Sequence, residues 1–240
     1  MTDPVPQNNE STRRLRAAVR VFMSPAIWLL TVYQALMFSF LRMEAATVYG
    51  PLIFATLLLG FVFLSAGTYQ SFVSESSLVK VLMVLRNARL IFPRFIILSI
   101  KVGLLGFLLI NIMVVIAQGL TGLKPEEIFT VFASYLVVIV GVTGLALVYW
   151  LPLVFFKGNF NMLETMREAL LLGWARIGQM GFLAALILLP PVLMWLVSNK
   201  LPQAIAVVGS VVVELLAWVA FAYCVDYLKT EYVPATQTRS

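Results

Sequence analysis

A carboxylate in the middle of a hydrocarbon run is the most reactive group this chain places in apolar surroundings: Glu214 sits within "VGSVVVELLAWVAF". Lys101, in "LSIKVGLL", is the one base set into a comparable run, and Asn111, Gln118 and Gln34 add neutral polar groups. Polar side chains at such depth are costly, so they are kept where they pair, conduct or bind. Three arrangements fit. A Lys101–Glu214 ion pair would tie two helices together, because the lysine stem lets its ammonium travel several ångströms along the helix axis. Alternatively Lys101 snorkels to the surface and Glu214, as a neutral acid, hydrogen-bonds a neighbouring helix. A proton or substrate relay is the third.

Other reactive sets are missing. With no histidine and a single cysteine, Cys224, the chain cannot assemble the usual thiolate or imidazole metal sites or an intramolecular disulfide. Walker, dinucleotide-binding, HExxH and GxSxG patterns do not occur. No catalytic residue, cofactor or metal is therefore expected, and the sequence reads as a non-enzymatic protein.

Charge gathers instead in "GNFNMLETMREALLLGWARIGQM", residues 158–180. Asn161 followed by Glu164 has the spacing of a helix N-cap and its reciprocal partner. Leu163, Met166, Leu170, Trp174 and Ile177 then recur at intervals of three and four, while Glu164, Arg167, Glu168 and Arg176 take other angles. That spacing predicts an amphipathic helix at a membrane interface. Leu171 and Leu172 widen its apolar face, as expected if it presses partly against a bundle. Earlier, "SESSLVKVLMVLRNARLIFPR" predicts a second such helix, started by Ser74 or Ser77 and closed by Pro93.

The elements that carry these residues follow from composition. Of 240 residues 61% are hydrophobic and 12% charged, with a mean hydropathy of +0.97. Soluble domains carry about 25% charged residues, so this excess of apolar surface requires lipid. Runs of about 20 apolar residues cross the hydrocarbon core as helices, and they do not alternate as barrel strands do. The expected fold is all-α, a polytopic bundle with spans near 25–41, 50–70, 95–118, 128–156, 178–198 and 203–227. Residues 1–24 form a basic N-terminal segment, 25–228 the six-helix transmembrane domain and 229–240 a tail. No cleavable signal peptide is evident, so the first span is expected to stay.

Basic residues orient the bundle. One side collects Arg13, Arg14, Arg16, Arg20, Lys80, Arg86, Arg89, Arg94, Lys157, Arg167, Arg176, Lys229 and Arg239, and the other only Arg42, Lys124 and Lys200. Cytoplasmic loops are the ones enriched in Lys and Arg, so both termini are expected in the cytoplasm of a bacterial inner-membrane protein. The net charge of +6 belongs to that face. Arg86, Arg89, Arg167 and Arg176 are its candidate contacts for anionic lipid headgroups or a membrane-protein partner, with no role for nucleic acid.

Span, amphipathic helix, span occurs twice, around 50–118 and 128–198, which suggests parallel internal duplication in topology without residue identity. Pro152 in "YWLPLVFF" and Pro190–Pro191 in "ILLPPVLMW" invite kinks. Glycines in "GVTGLALVYW" and "GLLGF" permit close helix approach.

The lead-in "FMSPAIWLL" and the later "LPLVFFKGNFNMLETMREALLLGWARIGQM" together resemble the uncharacterised six-span bacterial inner-membrane proteins of the YciC-like type, including the membrane domains attached to some glycerophosphodiesterases. In that group a proline-containing apolar run is followed by a short turn, a segment close to "eALklSw" and a span. Pro152, Gly158, Ala169, Leu170 and Trp174 fill these places, and Gly173 departs where the group often has a serine. The resemblance implies a six-span inner-membrane fold and carries no catalytic residues. It leaves activity open; with no reactive set in the sequence, the expected role is a scaffold, regulator or partner subunit in envelope or lipid homeostasis, and the alternative is a small carrier for a lipid or small molecule. A carrier needs a water-accessible cavity reaching Glu214, whereas a scaffold needs a packed interior and a stable partner.

Overall fold

The computed structural model describes residues 7–44, 49–75, 78–122, 124, 127–128, 139, 141–198 and 203–231. They are almost wholly helical, with no strand among them. The helices are α1 (Gln7–Phe22), α2 (Pro25–Glu44), α3 (Gly50–Ser74), α4 (Val81–Thr121), α5 (Trp150–Lys157), α6 (Met162–Ala175), α7 (Met180–Ile187), α8 (Leu189–Ser198) and α9 (Gln203–Thr230). A further helical stretch covers 141–146, and a 3-10 turn covers Ile177–Gln179.

Four stretches are long and apolar enough to cross a membrane: α3, α4, Ile177–Met194 and Ile205–Thr230. A fifth exists if α1 and α2, bent by 64°, count as one. Within the fourth expected span, 128–156, residues 129–138 and 140 lie outside the described residues; Gly141–Lys157 is a shorter apolar helix.

The centre of the bundle is α9, which packs against α1, α2, α3, α5, α7 and α8. Its stretch from Ala220 to Val225 is buried almost completely, Tyr223 and Cys224 fully so. Cys224 is thus the apolar filler its surroundings suggest. Around α9, the α3–α4 hairpin forms one wall and α5–α8 the other. Ser24 ties the α1–α2 bend to the α3–α4 connection: its hydroxyl donates to the Arg20 carbonyl at 2.6 Å and accepts from the Val79 amide at 3.1 Å.

Two expected boundaries move. Ser74 ends α3 instead of starting a helix, Ser77 lies outside the described residues, and Lys80 is the residue before α4. Pro93 does not close that helix but sits inside it. The amphipathic segment and the third span are therefore one helix of 41 residues, about 60 Å at 1.5 Å per residue, twice the hydrocarbon thickness. Proline costs one backbone bond here, and packing of the flanking Ala88, Ile91, Phe95 and Leu98 against the core holds the helix together across it.

The other prolines break their spans as expected. Turns at Leu147–Tyr149 and Leu188 interrupt the helices, and Pro152, Pro190 and Pro191 all fall in the first turn of the helix that follows, where a missing amide leaves no bond unmade. After α5, Gly158 takes φ +63° and turns the chain into α6. Asn161 does stand at the N-cap of α6, but without a side-chain cap bond. Asn159 Oδ1 accepts the Asn161 amide at 2.9 Å, so Glu164 is not its reciprocal partner.

The face that α6 turns to the bundle is small: Thr165, Ala169 and Gly173 are buried. Trp150 Nε1 donates to Thr165 Oγ1 at 2.9 Å across that contact. Most of the expected apolar stripe points away from the protein, with Leu163 73%, Trp174 78% and Ile177 63% exposed, while Met166 is partly buried against the core. Leu171 is exposed with it, which corrects the expectation that it presses on the bundle. Leu172 is partly buried against the core.

Candidate functional site

Glu214 lines an apolar cavity of about 800 Å³ between α4 and α9. The cavity follows from the elements around it. Because α4 packs on α3 and α2, its apolar residues Val102, Gly106, Ile110 and Met113 form a separate wall facing α9. The broken span supplies Thr143 and Gly144 before its turn and Trp150 after it, and α7 adds Ile187. Aromatic rings close the remaining side: Tyr69 of α3 lies 4.8 Å from both Trp218 and Phe221 of α9, centroid to centroid, stacked on the first. The volume falls in the range of about 300–1,000 Å³ typical of ligand pockets.

Two donors hold Glu214. Trp218, four residues on and so on the same helix face, donates its indole N–H to Oε1 at 3.1 Å. The Gln34 side-chain amide of α2, its nitrogen turned towards Glu214, lies 3.2 Å from Oε1 and 3.3 Å from Oε2. Both of these partners are uncharged.

Of the polar residues singled out in the sequence, Gln34 and Glu214 come together and Lys101 does not join them. Lys101 is exposed on α4, and among the described residues no ion pair links it to Glu214. Glu214 is instead joined to a neighbouring helix through Gln34 of α2. Asn111 is exposed as well, its Nδ2 donating to the Phe107 carbonyl of its own helix at 2.7 Å. Trp218 and Tyr69 were not singled out. The spacing of Glu214 and Trp218 was a readable signal, whereas Tyr69 reaches the site only through tertiary packing.

The glycines expected to permit close helix approach divide into two kinds. A Cβ on Gly141 would meet Leu188 Cδ1 at 2.4 Å, a close approach at the break between α7 and α8. Gly103 and Gly106 have nothing within 4 Å, so the "GLLGF" glycines make no helix contact.

A second polar cluster lies at the end of the bundle where α1, the α3 C-terminus, the start of the fifth span and the α9 C-terminus meet. Glu231 bridges Arg13 and Arg176, the latter at 2.7 Å. Arg176 also lies over the Tyr227 ring, 4.2 Å from its centroid. It is thus an intramolecular contact, unlike Arg86, Arg89 and Arg167, which are exposed and form no ion pair among the described residues. Lys157 and Glu168 pair at 2.5 Å between α5 and α6. Among the described residues no three Cys, Asp or Glu side chains gather in a metal-holding group.

Burial raises the Glu231 carboxyl, but hydrogen bonds from Arg13 and Arg176 outweigh it and hold the group below the ordinary glutamate value. A carboxyl held low stabilises the fold fully above its unfolded value, and that contribution is lost as pH falls through the folded one. Acidification should therefore loosen α1 from α9. A nitroxide on Leu15→Cys, an exposed α1 position, is expected to gain mobility as pH drops below the ordinary glutamate range, and Glu231→Gln to show that mobility already at neutral pH. Spectra that do not change with pH would remove this role from Glu231.

The chain matches no known family model, no curated protein and no solved structure. Its function is therefore argued from the cavity and the polar clusters alone.

Proposed function

We propose that this chain is a non-enzymatic, multi-pass membrane protein that binds a lipid or lipid-like small molecule in the Glu214 cavity, as a small carrier. One observation carries the reading: the described residues leave between α4 and α9 a groove of about 800 Å³, open on one side, with an almost entirely apolar lining and one carboxyl group. An amphiphile is the ligand that such a lining suits.

We further read the protein as lying in a bacterial inner membrane, with six crossings and both ends cytoplasmic, in keeping with the YciC-like resemblance. Support comes from the joining of Arg13, Arg176 and Glu231, which the six-span topology assigns to one side. Exposed Arg86, Arg89 and Arg167 at that end suit anionic lipid headgroups. The outward apolar stripe of α6 favours a second reading, a scaffold, regulator or partner subunit in envelope or lipid homeostasis, in which that stripe meets lipid or a membrane partner.

The test uses two glycines on one helix. Phenylalanine at Gly106 projects into the cavity, whereas at Gly103, which does not line it, the same change enters open space elsewhere. Full-length protein purified in mild detergent is examined by native mass spectrometry for bound lipids and small molecules. Gly106→Phe is expected to lower occupancy of a co-purifying ligand about tenfold, the factor given by 1.4 kcal/mol of lost binding, and Gly103→Phe to leave it unchanged. Equal occupancy in both variants would refute ligand binding in the cavity. A stoichiometric protein partner with no bound small molecule would move the conclusion to the scaffold.

A further inference from the structure

We propose that the ligand of this cavity is a lipophilic cation, an apolar body carrying a single ammonium-type charge, with Glu214 as its counter-ion and Trp218, Tyr69 and Phe221 as its aromatic wall. The inference rests on the cavity-binding reading above and adds the charge of what is bound.

The argument begins with what Glu214 has and what it lacks. Its two protein partners are neutral: the Trp218 indole donates to Oε1, and the Gln34 amide stands within hydrogen-bonding distance of both oxygens. Both partners are uncharged, so Glu214 in its ionised form has no counter-charge from either of them. Two neutral hydrogen bonds orient the charge without compensating it. Among the described residues no cation lies within ion-pair distance, and Lys101, the one base within the apolar runs, is exposed on α4. An uncompensated carboxylate among Val102, Ile110 and Ile187 is costly. A bound cation removes that cost, a neutral amphiphile leaves it, and an anion adds repulsion.

The rings point to the same chemistry. Trp218 both donates to Glu214 through its edge and stacks on Tyr69 at 4.8 Å, and Phe221 packs 5.4 Å from Trp218. Aromatic faces attract ammonium-type cations, most strongly when water is excluded. Trp218 and Phe221 are themselves buried, so the cation would meet the margin of this ring cluster beside Glu214, which supplies the counter-charge that rings alone lack.

Tetraphenylphosphonium and tetraphenylborate provide the test, because they share size and shape and differ in the sign of their charge. Binding of each is measured by titration to the full-length protein in nanodiscs of zwitterionic lipid, with protein-free nanodiscs as the baseline for partitioning. The wild type is expected to bind the cation at least about tenfold more tightly than the anion, a difference of 1.4 kcal/mol or more. Glu214→Gln should abolish that preference and Glu214→Asp, which keeps the charge, should retain it. Equal affinity of the wild type for the two ions would overturn the proposal without reference to any variant, as would a folded Glu214→Gln that keeps full cation affinity. If neither ion binds while Gly106→Phe still displaces a co-purifying molecule, the cation assignment falls and the cavity reading stands. If occupancy is also insensitive to Gly106→Phe, both fall.

Discussion

Replacing Arg20 by methionine is expected to destabilise the folded protein by about 3–5 kcal/mol, the range for removing one partner of a buried, hydrogen-bonded charge pair. Arg20 is 5% exposed on α1 and joins three elements at once. Its Nη2 donates to the Phe72 carbonyl at 2.8 Å and to the Glu75 carbonyl, at the end of α3 where backbone acceptors lack intrahelical partners. Its Nη1 lies 3.6 Å from Asp226 Oδ1 of α9, and the guanidinium stacks on the Phe72 ring at 4.5 Å. Methionine keeps much of the stem volume and removes every donor. Lysine keeps the charge but not the planar fork, so Arg20→Lys should fall between the two. Unfolding in mixed micelles of increasing sodium dodecyl sulfate, followed by tryptophan emission, measures the difference. The double variant Arg20→Met with Asp226→Leu should recover part of the loss, because no charge is then left buried. A loss within about 1 kcal/mol for Arg20→Met, the range of exposed pairs, would show that α1 does not depend on this contact.

That cluster also marks the limit of what the sequence makes legible. Helices were readable because long apolar runs in lipid have only one way to satisfy their backbone groups: 25–41 lies within α2, 50–70 within α3, and 203–227 within α9. Basic asymmetry sorted Arg13, Arg20, Arg176 and Lys229 to one side, and the contacts at Glu231 and Asp226 gather three of them at one end of the bundle. Which acid each arginine meets was not readable, since pairing is decided by how α1 lies on α9. Glu214 stood out because isolated charge in an apolar run is rare, but its partner was read as Lys101 or a neighbouring helix without a way to choose. Helical phase could not decide it, because the alternatives differ in which face of α4 turns inward. Pro93 was misleading for a related reason: a proline rule derived for helices in water overstates the break when packing on both sides restrains the chain.

The contact with the sharpest steric requirement was also missed. Close approach was expected at Gly103 and Gly106, yet the decisive small residues are Gly67 and Ser71 in "LSAGTYQSF", four apart on the inner face of α3. This is the small-xxx-small spacing that lets membrane helices touch backbone to backbone. A Cβ on Gly67 would stand 2.2 Å from the Val84 carbonyl oxygen and 2.8 Å from Ala88 Cβ. The first of these atoms is helix backbone, so it cannot turn aside as a flexible side chain would; α4 must shift as a body. Displacing α4 also separates Asn87 Nδ2 from Ser71 Oγ, now 2.8 Å apart, and opens the packing of Phe63 against Phe92. Gly67→Leu is therefore expected to cost about 3 kcal/mol or more, at the upper end of overpacking effects, with Gly67→Ala in the same direction and smaller. Unfolding in detergent, and the distance between spin labels placed on α3 and α4, report the two consequences separately. Because α4 forms one wall of the cavity and α3 contributes Tyr69 to it, the ligand site should change with the hairpin. A Gly67→Ala variant that keeps wild-type stability and label distance would place the α3–α4 approach elsewhere than at this glycine.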